Sequence, residues 1–118
     1  MLLASGAGAT ENLYVSASYF RSLRTTESMD LVSAYTRLHG SSAPPLNNMA
    51  ESCYEGIRFL ADAAARTRST KADRIIPNTA QASYAGPRGT VNFNDGKALQ
   101  PIHLARASGL DFDIVATF

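Results

Sequence analysis

Cysteine occurs once in the chain, at Cys53, so no intrachain disulfide can form and a disulfide-stapled secreted scaffold is excluded. Tryptophan is absent, and the only histidines are His39 and His103. No cysteine pair, histidine pair or dense carboxylate loop offers metal-ligand spacing, so neither a metal nor another cofactor is expected. Phosphate-loop and dinucleotide glycine motifs are missing, as is a serine nucleophile elbow. Eleven basic residues against ten acidic ones leave a net charge of +1, too little to advertise nucleic acid or an anionic membrane as a partner. No apolar run approaches the roughly 20 residues of a membrane-spanning helix. The opening Met1-Leu2-Leu3-Ala4-Ser5-Gly6 lacks a basic flank, so no export is expected from this start and the chain as written is placed in the cytoplasm.

What is present is the composition of one folded domain. A length of 118 residues, 45% of them hydrophobic and 18% charged, leaves room for one core and excludes a coiled coil or a disordered tail. Asn12 to Phe20 is rich in aromatic and β-branched residues and reads as a strand. Thr25 or Thr26 can cap a helix whose apolar positions Met29, Val32, Tyr35 and Leu38 recur every three residues, and Gly40 is placed to end it. Met49, Cys53, Ile57, Leu60 and Ala64 form a helical stripe, so Met49 to Arg66 is predicted as a second helix. Asn48 and Glu51 stand at capping-box spacing at its start. Gly56 inside it costs about 1 kcal/mol relative to alanine, which close packing against a neighbour would explain. A short helical piece from Lys71 to about Ile76 should end or kink at Pro77. Asn78 to Ala85 carries no clear pattern. Gly86-Pro87-Arg88-Gly89 is a turn, Thr90 to Phe93 a short strand, and Asn94-Asp95-Gly96 another turn. Ile102 to Ala107 and Phe112 to Phe118 make a closing hairpin around Ser108 to Asp111.

Few residues invite chemistry. Cys53 lies in the helical stripe, where a small buried hydrophobe is the plain reading and a nucleophile lacks a recognisable base. Glu51 and Glu55 are four apart, a spacing at which like charges ordinarily face solvent. Arg88 could meet an anion, but two glycines and a proline are what a tight turn requires, and the structural reading outweighs the functional one. His39 and His103 read as surface or internally satisfied histidines. Tyr19 and Phe20 are either core or the wall of a pocket, with core favoured.

In their order, these segments resemble the C-terminal third of type I periplasmic solute-binding proteins. The amide-, urea- and branched-chain-amino-acid-binding subfamily is the most similar branch. The resemblance is carried by Glu11-Asn12-Leu13-Tyr14-Val15-Ser16-Ala17-Ser18-Tyr19-Phe20, the helix Met29 to Leu38, and Met49-Ala50-Glu51-Ser52-Cys53-Tyr54-Glu55-Gly56. Gly86-Pro87-Arg88-Gly89-Thr90-Val91-Asn92-Phe93 and the hairpin Ile102 to Val115 complete it.

That resemblance implies a partial α/β fold of the type I binding-protein kind, with residues 1–118 as a single C-terminal piece of a two-lobed protein. It implies binding of an amino acid, amide or urea-like solute without catalysis, delivered to an ABC permease by a periplasmic or membrane-anchored parent. Some relatives act in the cytoplasm as sensors that hold a regulatory protein, which is the alternative here. A third reading, a small oligomeric enzyme, would need His39, His103, Cys53 and Glu51 to converge. By analogy with family members Tyr19 lies near a hinge crossing, and Met49 and Glu51 near the ligand cleft. The principal ligand contacts of the family come from chain that precedes this segment. The helix stripes therefore lack their packing partners, and a homo-oligomer is expected.

Overall fold

The computed structural model describes residues 6–118. Met1 to Ser5, from whose lack of a basic flank no export is expected, lie outside them. After a 3-10 turn at Ala7–Thr10 come β1 (Tyr14–Ala17), α1 (Thr26–His39), α2 (Asn48–Thr67) and α3 (Ala72–Thr79). Five strands follow: β2 (Ser83–Gly86), β3 (Gly89–Asn94), β4 (Lys97–Leu99), β5 (His103–Ser108) and β6 (Asp111–Thr117). They form two antiparallel three-stranded sheets, ordered β1-β5-β6 and β2-β3-β4. The expected strand at Asn12 to Phe20 is shorter, because after Ala17 the chain leaves the ladder and inserts Ser18, Tyr19 and Phe20 into the interior. Two strands went unforeseen. β2 lies in the segment without a pattern, and β4 is three exposed residues with no buried face to read.

Turn chemistry sets both sheets. Asp95 and Gly96, with φ 49° and 73°, make the two-residue β3–β4 loop, since positive φ at both positions matches the right-handed twist of the flanking strands. Gly109, at φ 60°, turns β5 into β6. In the first sheet Tyr14 to Ala17 pair with Arg106 to His103, and Phe20 meets the Phe112 ring at 5.2 Å between centroids. Tyr19, Phe20, Leu23 and Ala105 are its buried core. In the second sheet Phe93 and Tyr84 pack on Phe59 of α2, with the Phe59 and Phe93 rings stacked at 4.4 Å. The two sheets thus have separate small cores, and the body is elongated. Its radius of gyration is 16.4 Å, against about 13.5 Å for a compact chain of this length.

The helices form where expected but turn other faces inward. Thr25 caps α1, its Oγ1 accepting from the Ser28 amide at 3.1 Å, and Gly40 ends it at φ 80°. Of the expected α1 stripe, Met29 and Leu38 are exposed, while Ser28 and Leu31 are buried. The cap of α2 is Asn47, whose Oδ1 accepts from the Ala50 amide at 2.9 Å. The expected Asn48–Glu51 capping box is corrected: Asn48 accepts from the Ser18 hydroxyl, and Glu51 is drawn inward by a cation. The α2 stripe is outermost, with Met49 76% and Ile57 71% exposed, and Leu60 and Cys53 exposed as well. Cys53 as a buried hydrophobe is therefore corrected. Glu51, Glu55 and Ala63 are buried instead, and Glu55 lies roughly opposite the stripe around the helix. α3 runs through Pro77 to Thr79, since a proline near the end of an eight-residue helix removes little bonding.

Gly56 sits on the exposed side of α2, and a Cβ built there meets nothing within 4 Å. Gly56→Ala should therefore stabilise this chain by about 0.5–1 kcal/mol, read as a rise in the urea midpoint. A fall would show that something packs against Gly56.

Candidate functional site

Arg88 occupies the β2–β3 turn, in the middle of Gly86-Pro87-Arg88-Gly89, and its side chain points into the molecule with 5% exposure. The turn is pinned to α1 by the Thr25 hydroxyl, which donates to the Pro87 carbonyl at 2.9 Å. Gly86 is required there, because a Cβ would collide with Glu55 Oε1 and crowd the Tyr84 ring at 2.9 Å. From this position the guanidinium meets groups from both halves of the fold. Its Nη2 pairs with Glu51 and donates to Ser52 Oγ at 2.9 Å, and its Nε lies 2.6 Å from Glu55 Oε2, all on α2. Its Nη1 donates to Ser18 Oγ at 2.7 Å, just after β1, and to Gln100 Oε1 at 2.9 Å, just before β5. The Arg88 carbonyl lies 3.3 Å from His103 Nε2 on β5, and His103 Nδ1 lies 2.8 Å from Thr117 Oγ1 on β6.

Two carboxylates share one guanidinium in this enclosure, so Glu51 and Glu55 as a solvent-facing pair is corrected. The guanidinium offers a compensating charge that water would otherwise have to supply. The compensation is incomplete, since Glu51 Oε1 and Glu55 Oε1 have no hydrogen-bond partner among the described residues. Burial, followed by the neighbouring Glu55 charge, pushes the Glu51 carboxyl up to about 7 against the pull of Arg88. Burial and then Glu55 raise the Tyr84 phenol well above its ordinary value. Beside the cluster a concavity of about 280 Å³ opens between α1, α2 and β2, with Glu27, Asp30, Asp62, Arg58 and Tyr84 on its walls and Glu55 at the common edge.

The three residues named for a ligand occupy different settings. Tyr19 is buried, its hydroxyl 3.5 Å from Ser28 Oγ; Glu51 is enclosed with Arg88; Met49 projects into solvent at the start of α2. None of them lines the concavity. Nor do the residues of the enzyme reading converge. Cys53 and His39 are exposed on different helices, whereas Glu51 and His103 are buried. His103 is satisfied internally, as expected. Among the described residues no group of three or more metal-ligating side chains gathers. Arg88 is the residue the sequence reading underweighted. Its signal was a long cation in the middle of a tight turn, with two glutamates four apart elsewhere in the chain.

A periplasmic binding protein family model matches residues 1–111. The chain belongs to that family, whose members bind solutes and are not enzymes. Its mixed α/β structure is a partial version of the type I fold. Among solved structures it is similar to a solute-binding protein of an ABC transporter from Rhodopseudomonas palustris BisB5, in complex with 3,4-dihydroxybenzoic acid, at 21% identity and TM-score 0.82. That match covers 97% of this chain and 32% of the other. A leucine-binding protein from Thermotoga maritima MSB8 matches at 19% identity and TM-score 0.78, over 98% of this chain and 33% of that one. An amino acid ABC transporter substrate-binding protein from Pseudomonas fluorescens Pf-5 matches at 18% and 0.83, over 96% and 32%. The chain thus spans about a third of the length of these structures. No curated protein matches it.

Arg88→Met should cost about 3–5 kcal/mol at pH 8, because it leaves two buried carboxylates without their cation. The loss should shrink as the pH falls through about 7 and Glu51 takes up its proton. A urea midpoint within about 1 kcal/mol of the parent at pH 8 would show that the ion pairs contribute little.

Proposed function

We propose that this chain is the C-terminal part of a two-lobed solute-binding protein that hands an amino acid, amide or urea-like compound to an ABC permease from the outer side of the membrane. The observation that carries this reading is the family match over residues 1–111 together with a fold spanning a third of complete binding proteins. The exposed stripe of α2 supports the same reading. Cys53, Ile57 and Leu60, beyond Met49 at the start of the helix, make an apolar face of a kind that stable monomers rarely leave uncovered. In the longer parent the remaining chain covers it; in the isolated chain a second copy does. Of the three residues named for the ligand, Met49 is the one free to touch a solute. Tyr19 and Glu51 act from behind the surface, holding the segment after β1 and the start of α2.

On this reading the 118-residue chain alone gives no saturable thermal shift with amino acids, amides, ureas or hydroxybenzoates. Extended by the rest of its parent, it gains about 2.7 kcal/mol at one hundred times the dissociation constant of its solute, and Met49→Ala weakens that binding. A saturable shift in a monomeric 118-residue chain would overturn the incomplete-cleft reading. Sedimentation should show a dimer or larger species at micromolar concentration, converted to monomer by Ile57→Glu with Leu60→Glu. An unsubstituted 118-residue chain found monomeric at that concentration would remove the oligomer.

A further inference from the structure

The Arg88 cluster sits where the two sheets join, and each of its partners lies on one side of that joint or at a crossing. Ser18 and Gln100 are on the two chain segments that cross between the halves, His103 belongs to the first sheet, and Glu51, Ser52 and Glu55 belong to the helix packed on the second. With all three groups ionised the enclosure holds two negative charges and one positive. It also holds two carboxylate oxygens, Glu51 Oε1 and Glu55 Oε1, without a hydrogen-bond partner among the described residues. One added proton removes the excess charge and supplies the missing donor, because a protonated carboxyl can donate to its neighbour one helical turn away.

We propose that the joint is a proton-linked latch, in which Glu51 and Glu55 share one proton while Arg88 ties the sheets together, and parting the sheets releases that proton to water. The charged and titratable groups around the pair come from several elements. From the β2–β3 turn only Arg88 faces the pair. From β2 comes the Tyr84 phenol, and from the segment after β1 come the Tyr19 phenol and, beyond it, Arg21, which is paired with Asp111 at 2.8 Å. From β5 comes His103, engaged by Thr117 and the Arg88 carbonyl. Across the neighbouring concavity Glu55 is bordered by Glu27 and Asp30 from α1 and, on its own helix, by Arg58 and Asp62, of which Arg58 is engaged by the Tyr54 hydroxyl.

The sign follows from the elevated Glu51 value. The joined form binds more protons than the parted form between the ordinary glutamate range and about pH 7, so joining weakens as pH rises through that window and levels off above it. This holds whichever solute the parent carries.

Two measurements on the 118-residue chain decide it. Carbon-detected NMR of the glutamate carboxyls, from pH 4 to 9, should show one titration near neutrality that disappears in Glu51→Gln. In a Cys53→Ser background, spin labels at Lys97→Cys on β4 and Leu110→Cys in the β5–β6 turn should give a distance distribution that broadens from pH 5 to pH 8. The added Glu51→Gln change should keep it narrow at both values; Glu55→Gln serves as the second variant if Glu51→Gln does not fold. Titration of every glutamate below pH 5 would overturn the shared proton. A distribution that ignores pH, or broadens equally in the glutamine variants, would overturn the latch.

Discussion

A guanidinium taken out of water loses five donated hydrogen bonds and a favourable field, and Arg88 replaces four of those bonds and pairs its Nε with Glu55 only by drawing in groups from distant parts of the chain. Glu51, Ser52 and Glu55 supply them from α2, Ser18 from the end of β1 and Gln100 from the approach to β5. The positions of those elements are therefore not independent. The β2–β3 turn fixes where the cation enters, Gly86 leaves room for Glu55, and the helix must present its two glutamates on the inner side. Each sheet has only a small apolar core of its own, so the polar joint decides how one sits against the other.

That requirement explains the orientation of α2. An amphipathic helix normally turns its apolar stripe inward, but here one side of the helix carries two acids that have a buried cation to meet and the other carries Met49, Ile57 and Leu60. Both sides are made for burial. The acidic side meets its cation within these 118 residues, with one oxygen of each carboxylate left without a partner among the described residues, and the apolar side is exposed. The solved structures this chain resembles are about three times as long, and on the proposed reading the rest of such a protein covers that exposed side.

Much of this architecture was readable in advance. Turn residues marked Gly86 to Gly89 and Asn94 to Gly96, three helices fell where periodicity and caps placed them, and the closing hairpin followed from alternation around Ser108 to Asp111. What was hidden was long-range. Glu51 and Glu55 look solvated to a local rule because the cation that buries them is more than thirty residues away, on a turn whose glycines already had an explanation. The capping box at Asn48 and Glu51 has the right spacing, but Asn47 competes for the cap while Ser18 and Arg88 claim the other two side chains. β4 has no buried side chain, so its only signature is the Asp95-Gly96 loop that returns the chain to β3.

The strand order β1-β5-β6 carries a kinetic consequence. Tyr14 pairs with Arg106, so the edge strand β1 must wait for almost the whole chain before its neighbour β5 is available. The segment from α1 to β4 is contiguous and its pairings are short-range, whereas closing the β1–β5 ladder joins positions about ninety residues apart at an entropic cost that grows with the logarithm of that separation. Helices and the second sheet can thus assemble early, while β1 remains an unpaired edge until β5 and β6 arrive. During that interval the exposed edge and the apolar side of α2 are both open to other chains. Late closure makes the first sheet the stage of folding most vulnerable to misassembly.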